Sequence, residues 1–379
     1  MADIYEESLQ FHQDHSGKLE VRSKVPLDNR HDLSLAYTPG VARVCQEIFR
    51  DKNLARTYTI KKNSVAVVSD GSAILGLGNL GALAALPVME GKAILFKEFG
   101  GVDAFPICLD TQDTEEIIKA VKQIAPVFGG INLEDISAPR CFEIEERLKK
   151  ELDIPVMHDD QHGTAVVVLA GLINALKVRK SEVANVKVVI NGAGAAGIAV
   201  TKLLAEFGFK NIVMCDSKGI ISKDRLDLTI VKLEMLKITN LEQQTGSLIE
   251  ALKMADIFVG VSAKKILSQE MVRSMRADPI IFALANPEPE ITYQEAKDAG
   301  ALVAATGRSD FPNQVNNVLA FPGIFRGALD NGVNQITDKM LISAAKALAG
   351  HVKDLSTESI LPSALDKSVA AVIAGSILK

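Results

Sequence analysis

From Ser64 onward the chain alternates short apolar runs with amphipathic stretches: SVAVVSDG, KAILFKEF, TEEIIKAVKQIAP, ELDIPVMHDD, and then a helix over TAVVVLAGLINALK. Strand and helix signals in alternation predict helices layered on a largely parallel sheet. From Val186 the rhythm returns more clearly as VKVVI, GAGAAGIAVTKLLAEFG, NIVMCD, ADIFVGVSA, PIIFALANPE and ALVAATG. The fold class expected is α/β in two parts, an N-terminal α/β domain over residues 1–163 and a second over 164–310. After Asp310 the Pro- and Asn-rich FPNQVNNVLAFPG leads into a helical pattern, ITDKMLISAAKALAGHVK. Helices that follow the last strand of such a domain often pack back on the first one, so residues 311–379 are expected to complete it. Neither a fixed-period repeat nor a low-complexity segment interrupts this pattern, which disfavours a solenoid.

Composition narrows the picture. With 379 residues, 47% of them hydrophobic, the chain can bury two cores of ordinary size. Its net charge of −5 is spread over both signs without a basic run, so no nucleic acid partner is expected. The opening MADIYEESLQ is acidic and lacks an apolar signal region, which predicts a cytoplasmic location. The longest clean apolar run, AVVVLAGLI from Ala165, falls well short of the roughly 20 residues that cross a bilayer, so a buried helix and no membrane span is expected. Cys45, Cys108, Cys141 and Cys215 form no C-x-x-C pair and are expected to be buried, reduced thiols.

The second domain carries the clearest chemistry. VKVVINGAGAAGIA reads as a strand, then Gly192, Gly194 and Gly197 in G-x-G-x-x-G spacing, then a helix. A second strand ends at Asp216, 19 residues after Gly197. That context makes the domain a Rossmann-type one, with the loop from Gly192 through Gly194, Ala195, Ala196 and Gly197 turning tightly against a pyrophosphate. Asp216 is placed to accept the ribose hydroxyls and repel a 2′-phosphate, favouring NAD. Ser217 and Lys218 follow it directly and leave NADP open.

VMHDDQHGTA places His158 and His162 four residues apart around Asp159 and Asp160. The H-E-x-x-H order of a zinc helix is absent and no soft third ligand is near in sequence. The DD pair and Glu134 and Asp135 of FGGINLEDI each sit at an expected strand end, where α/β sites form. Carboxylates converging there suit a hard cation, Mg²⁺ or Mn²⁺.

AYTPGVA, SDGSAILGLGNLGALAALPVMEGKAILFKEFGGVD, GGINLEDI, HDDQHGTA, ALANPEPE and GRSDFPNQVNNVLAFPG, in this order over nearly the whole chain, closely resemble the malic enzymes, above all their short bacterial form. The resemblance implies oxidative decarboxylation of L-malate to pyruvate and CO₂ by a homodimer that uses NAD, or NADP, with Mg²⁺ or Mn²⁺. It makes Glu134, Asp135 and Asp160 the metal ligands, with Asp159 beside them, and leaves His158 and His162 as structural residues or as supports behind the ligands. It makes Lys92 the general base, where Lys97 competes on residue type alone, and Tyr37 the general acid. Asn286 and Asn317 are implied to contact substrate and nicotinamide. A lysine that accepts a proton near neutrality must be desolvated or placed beside positive charge. One departure stands out: animal malic enzymes grip a substrate carboxylate with an arginine where this chain has Ala73. Two other classes stay in view, a lyase making lactate from malate and a non-catalytic NAD sensor; another hydroxy- or amino-acid dehydrogenase would not need the carboxylates.

Overall fold

The computed structural model describes residues 4–74 and 76–379 and holds two sheets. Leu75, within the DGSAILGLG stretch, and the first three residues lie outside the described residues. The first sheet joins β1 (Ser64–Ser69), β2 (Asp103–Cys108), β3 (Gly130–Leu133) and β4 (Val156–His158) in the order β2-β1-β3-β4, all parallel. The second joins β5 (Lys187–Asn191), β6 (Asn211–Asp216), β7 (Gly219–Ile220), β8 (Ile257–Gly260), β9 (Ile280–Ala283) and β10 (Val303–Thr306) in the order β10-β9-β8-β5-β6-β7. Only the two-residue β7 runs antiparallel.

Strands β1, β3, β8, β9 and β10 are buried at every position, which is why they read as largely apolar runs. Helices cover both faces of such a sheet, so neither face keeps a polar alternation. KAILFKEF differs from a strand. It lies within the helix Ala82–Gly100, whose buried stripe runs Ala85, Met89, Lys92, Ala93, Phe96. The strand comes after it, as DAFPIC of β2, an edge strand carrying Pro106 and therefore a weak signal.

Beyond β10, Phe321 and Phe325 of the helix Phe321–Asp330 pack on Phe96 with ring centroids 4.7 and 5.4 Å apart. Arg326 Nη1 donates to Asn63 Oδ1 at 2.6 Å on the same side. The helix Asp338–Gly350 lies on the helix Asp159–Arg179, where Asn174 Nδ2 donates to the carbonyls of Ala349 and Ile360. A ring such as Phe96, fully buried, carries about 3–5 kcal/mol against truncation to alanine. Helix Asp159–Arg179 is long and apolar enough to cross a bilayer by length and composition, and most of it is buried inside the protein.

The N-terminal stretch is built differently. Helices Ile4–His15, Arg30–Ala36, Val41–Arg50 and Ala55–Tyr58 contain no buried residue. Apolar side chains stand open along this stretch, Val21 at 94% and Phe49 at 88% exposure. Cys45 belongs to it and is exposed, and Cys108 is half-buried, against the expectation of four buried thiols. Cys141 and Cys215 are buried, and burial pushes the Cys215 thiol up to about 12.

Candidate active site

Register brings the carboxyl ends of β1, β3 and β4 level: Val68 lies opposite Leu133, and Leu133 opposite His158. Glu134 and Asp135 therefore leave β3 beside Asp159 and Asp160, which open the helix that starts directly after β4. Acidic side chains in a first turn are favoured by the helix dipole. Ligand oxygens of Glu134, Asp135 and Asp160 lie within 4.8 Å of one another. Asp135 sits at φ +53, a left-handed conformation that Asp tolerates, and its N–H donates to Asp160 Oδ2 at 2.8 Å. Asp159 turns to other partners: Lys92 Nζ and Asn317 Nδ2 both donate to its Oδ2 at 2.6 Å.

The helical stripe of Ala82–Gly100 delivers Lys92 into this cluster, where its ammonium also lies 2.9 Å from Glu134 Oε1 and 4.3 Å from the Phe321 ring centre. Lys97, five residues on, falls on the open face and pairs with Asp103 at 2.6 Å. Burial favours the neutral amine of Lys92, but Asp159 and Glu134 overrule it and raise its proton affinity above that of an ordinary lysine. The desolvation expected of a base is present; the neighbouring charge is negative. Glu134 is raised well above the usual carboxyl range, by burial first and then by Asp160, Asp159 and Asp135. Three oxygen donors around crowded carboxylate charge, without a thiolate or imidazole in the set, fit a hard divalent cation.

The two histidines serve the frame. His158 is fully buried, with Nε2 3.0 Å from Asp160 Oδ2 and Nδ1 2.9 Å from Gln161 Nε2. Burial would raise the Asp160 carboxyl, but His158 brings it below the usual range. His162 lies away from the cluster and meets the buried Glu145, which also holds Lys149 at 2.8 Å and accepts the His158 N–H. Despite its burial, Glu145 is held well below the ordinary carboxyl range by His162 and Lys149.

In the second sheet the strand order reverses between β5 and β8, which opens a crevice at their carboxyl ends. Gly194 precedes the helix Ala195–Phe207 without a side-chain cap, leaving first-turn N–H groups for an anion. A Cβ on Gly197 would stand 1.8 Å from the Gly192 carbonyl, so only glycine lets helix and loop approach this closely. Asp216 ends β6 with both oxygens engaged. Arg225 holds it at 2.8 and 3.0 Å, and Lys232 at 2.6 Å. Against burial, these donors hold its carboxyl at about 2. The repulsion of a 2′-phosphate expected from Asp216 is therefore largely offset by two cations that sequence spacing did not single out.

A cavity of about 730 Å³ joins the two sheets' carboxyl ends, lined by Lys92, Glu134, Asp135 and Asp160 on one side and Ala196, Asn286 and Asn317 on the other. Asp216 and the glycines of the loop do not line it. Neither does Tyr37, which caps the helix Arg30–Ala36 and is 68% exposed. His12 and Lys18 of the N-terminal stretch do line the cavity, though nothing in FHQDHSGKLEV marks them as site residues.

Two family models match the chain. The model of the malic enzyme N-terminal domain matches residues 16–149, and that of the malic enzyme NAD binding domain residues 161–379. The chain is 57% identical over 379 residues to the bifunctional malic/malolactic enzyme of Bacillus subtilis strain 168, covering 99% of this chain and 92% of that one. It is 58% identical over 355 residues to the NAD-dependent malic enzyme of Geobacillus stearothermophilus, covering 93% and 74%. Among solved structures, the NAD-dependent malic enzyme of Thermotoga maritima superposes with a TM-score of 0.95 at 50% identity, covering 98% of each chain. The malic enzyme of Pyrococcus horikoshii gives 0.95 at 52%, covering 99% and 90%.

Proposed function

The chain belongs to the malic enzyme family, and from that premise we propose that it oxidatively decarboxylates L-malate to pyruvate and CO₂ with NAD, aided by Mg²⁺ or Mn²⁺. The observation that carries this reading is the meeting, in one cavity, of three oxygen ligands, a buried lysine and the mouth of a dinucleotide crevice. A divalent cation on Glu134, Asp135 and Asp160 supplies Lewis acidity toward the substrate and offsets the charge that holds Lys92 protonated, and the dinucleotide supplies the hydride acceptor.

Lys92 then takes the C2 hydroxyl proton, and Asp159, bonded to it at 2.6 Å, aims the amine and stabilises the ammonium that results. Asn317 fixes Asp159 from the other side. Asn286, beside Gly307 after β9 and β10, offers its amide to substrate or nicotinamide. Once CO₂ has left, the remaining enolate needs a proton at C3, and Tyr37 is the donor in this reading. Since Tyr37 stands exposed on a stretch without buried residues, we infer a homodimer in which it serves the site of the second copy. NADP is also accepted in this reading, because Arg225 and Lys232 offset the charge of Asp216.

The Bacillus subtilis relative is named as a bifunctional malic/malolactic enzyme, so lactate is the product to look for besides pyruvate. The test is reduction of NAD and of NADP with L-malate, with Mn²⁺ present and then chelated, assaying both acids. Metal-dependent NADH matched by pyruvate is expected. Lactate without net NADH would replace the oxidative reading with the lyase, and turnover indifferent to chelation would remove the metal from it.

A further inference from the structure

We infer that Lys18 binds the substrate carboxylate that the Glu134, Asp135 and Asp160 cluster leaves free. The inference rests on L-malate being the substrate. A dianion whose hydroxyl and adjacent carboxylate face the cluster has its second carboxylate directed elsewhere in the cavity, and a half-enclosed carboxylate needs a cation. Among the described residues lining the cavity, the lysines are Lys92 and Lys18, and no arginine joins them. Lys92 is committed to Asp159 and Glu134 at 2.6 and 2.9 Å. Arg140, the nearest arginine to the DGSA turn, is held by Asp70 at 2.9 Å and Ser72 at 3.0 Å and does not line the cavity.

Local structure delivers Lys18 to the wall. After the helix Ile4–His15 the chain turns through Ser16 at φ +51 and Gly17 at φ +103, the second a conformation suited to glycine. The Lys18 N–H then donates to Glu90 Oε2 at 3.1 Å, and its ammonium donates to the Pro87 carbonyl at 2.7 Å. An ammonium has three donors, so this anchor leaves others for a ligand. Its tip reaches the turn that carries Lys92: a Cβ on Gly91 would stand 3.7 Å from Lys18 Nζ. Partial burial lowers the proton affinity of Lys18, with Glu90 opposing, and the same partial burial strengthens a contact with a carboxylate.

His12 shares this wall but suits the task less. Its Nδ1 is already engaged by the Ser8 carbonyl at 2.8 Å, and an imidazole carries a full positive charge only when protonated.

The test pairs steady-state kinetics of Lys18→Met and Lys18→Arg with calorimetric titration of L-malate and of oxalate onto the Mn²⁺-loaded protein. Oxalate offers the chelating face of the substrate without the distal group. For Lys18→Met the KM and dissociation constant for L-malate are expected to rise about 10- to 100-fold, with kcat changing far less. Oxalate affinity and the KM for NAD should stay unchanged, and Lys18→Arg should recover most of the loss. An unaltered L-malate affinity, or parallel weakening of L-malate and oxalate, would overturn the assignment. Absence of L-malate turnover by the unmodified protein would instead sink the reaction proposed above, while the titrations would still report on Lys18.

Discussion

Lys92 and Tyr37 are the two groups proposed to move protons, and the fold treats them oppositely. Lys92 lies on the buried stripe of a helix that covers the first sheet, locked between two carboxylates and an aromatic ring. Tyr37 caps a short helix in a stretch with no buried residue, and it lines no part of the cavity. A side chain carried at the end of a sheet is placed by the same packing that forms the core. One carried on an open amphipathic segment is placed only when something covers that segment. In the homodimer proposed above, the second copy covers helix Val41–Arg50 and the exposed Phe49, apolar surface that is unfavourable in water.

The contrast can be broken most forcefully at Lys92. Lys92→Ala is expected to lower L-malate turnover by about 10²- to 10⁴-fold, with NAD binding measured by fluorescence left intact. Undiminished turnover would take the base role from it. For Tyr37 the decisive measurement is complementation. Tyr37→Phe alone should cost about 10²-fold, yet co-expressed with Lys92→Ala it should restore about a quarter of normal activity in a symmetric dimer whose sites are shared. No recovery would place Tyr37 in the site of its own chain and end the contrast.

On the sheet-borne side, His158→Asn should weaken Mn²⁺ binding about 10- to 100-fold in direct titration, because His158 orients Asp160. Equal affinity would reduce His158 to core packing. Asp216→Ser frees Arg225 and Lys232 and should raise the preference for NADP over NAD in kcat/KM by about tenfold. An unchanged ratio would show that neither cation reaches the 2′ position.

The smallest effect concerns acid stability. Asp216 and Glu145 are held below the ordinary carboxyl range when folded, Asp216 at about 2. The unfolded chain, with ordinary carboxyls near 4, then binds protons that the folded chain refuses, so stability is present above about pH 4 and declines as pH falls toward 2. Melting temperature followed from pH 6 to pH 3 should drop, and Glu145→Gln should both lower it and flatten that decline. A slope identical in the variant would mean that Glu145 is not among the groups responsible.

Much of the sheet-borne site was legible because its residues sit where strands end. Glu134, Asp135, Asp159 and Asp160 follow apolar runs, and the G-x-G-x-x-G loop follows another, so a pattern of polarity along the chain locates them. Lys92 was separable from Lys97 by the motif, and the helical stripe gives a second reason. Arg225 and Lys232 could not be read this way. They reach Asp216 from 9 and 16 residues downstream, across β7 and irregular chain, a spacing that no helical or strand period encodes. Lys18 was equally hidden, since its approach to Glu90 spans 72 residues.

By itself, then, the sequence determined the two α/β layers, the dinucleotide loop and the carboxylate-bearing strand ends. Each of these follows from local periodicity and from backbone rules that act within a few residues. The tertiary structure alone decided which charges meet: Lys92 with Asp159, Asp216 with Arg225, Lys18 with the turn at Glu90. It also decided that Tyr37 lines no part of the cavity within one chain. Electrostatic partnership depends on separation in space and on burial, and a linear pattern of residue types carries neither.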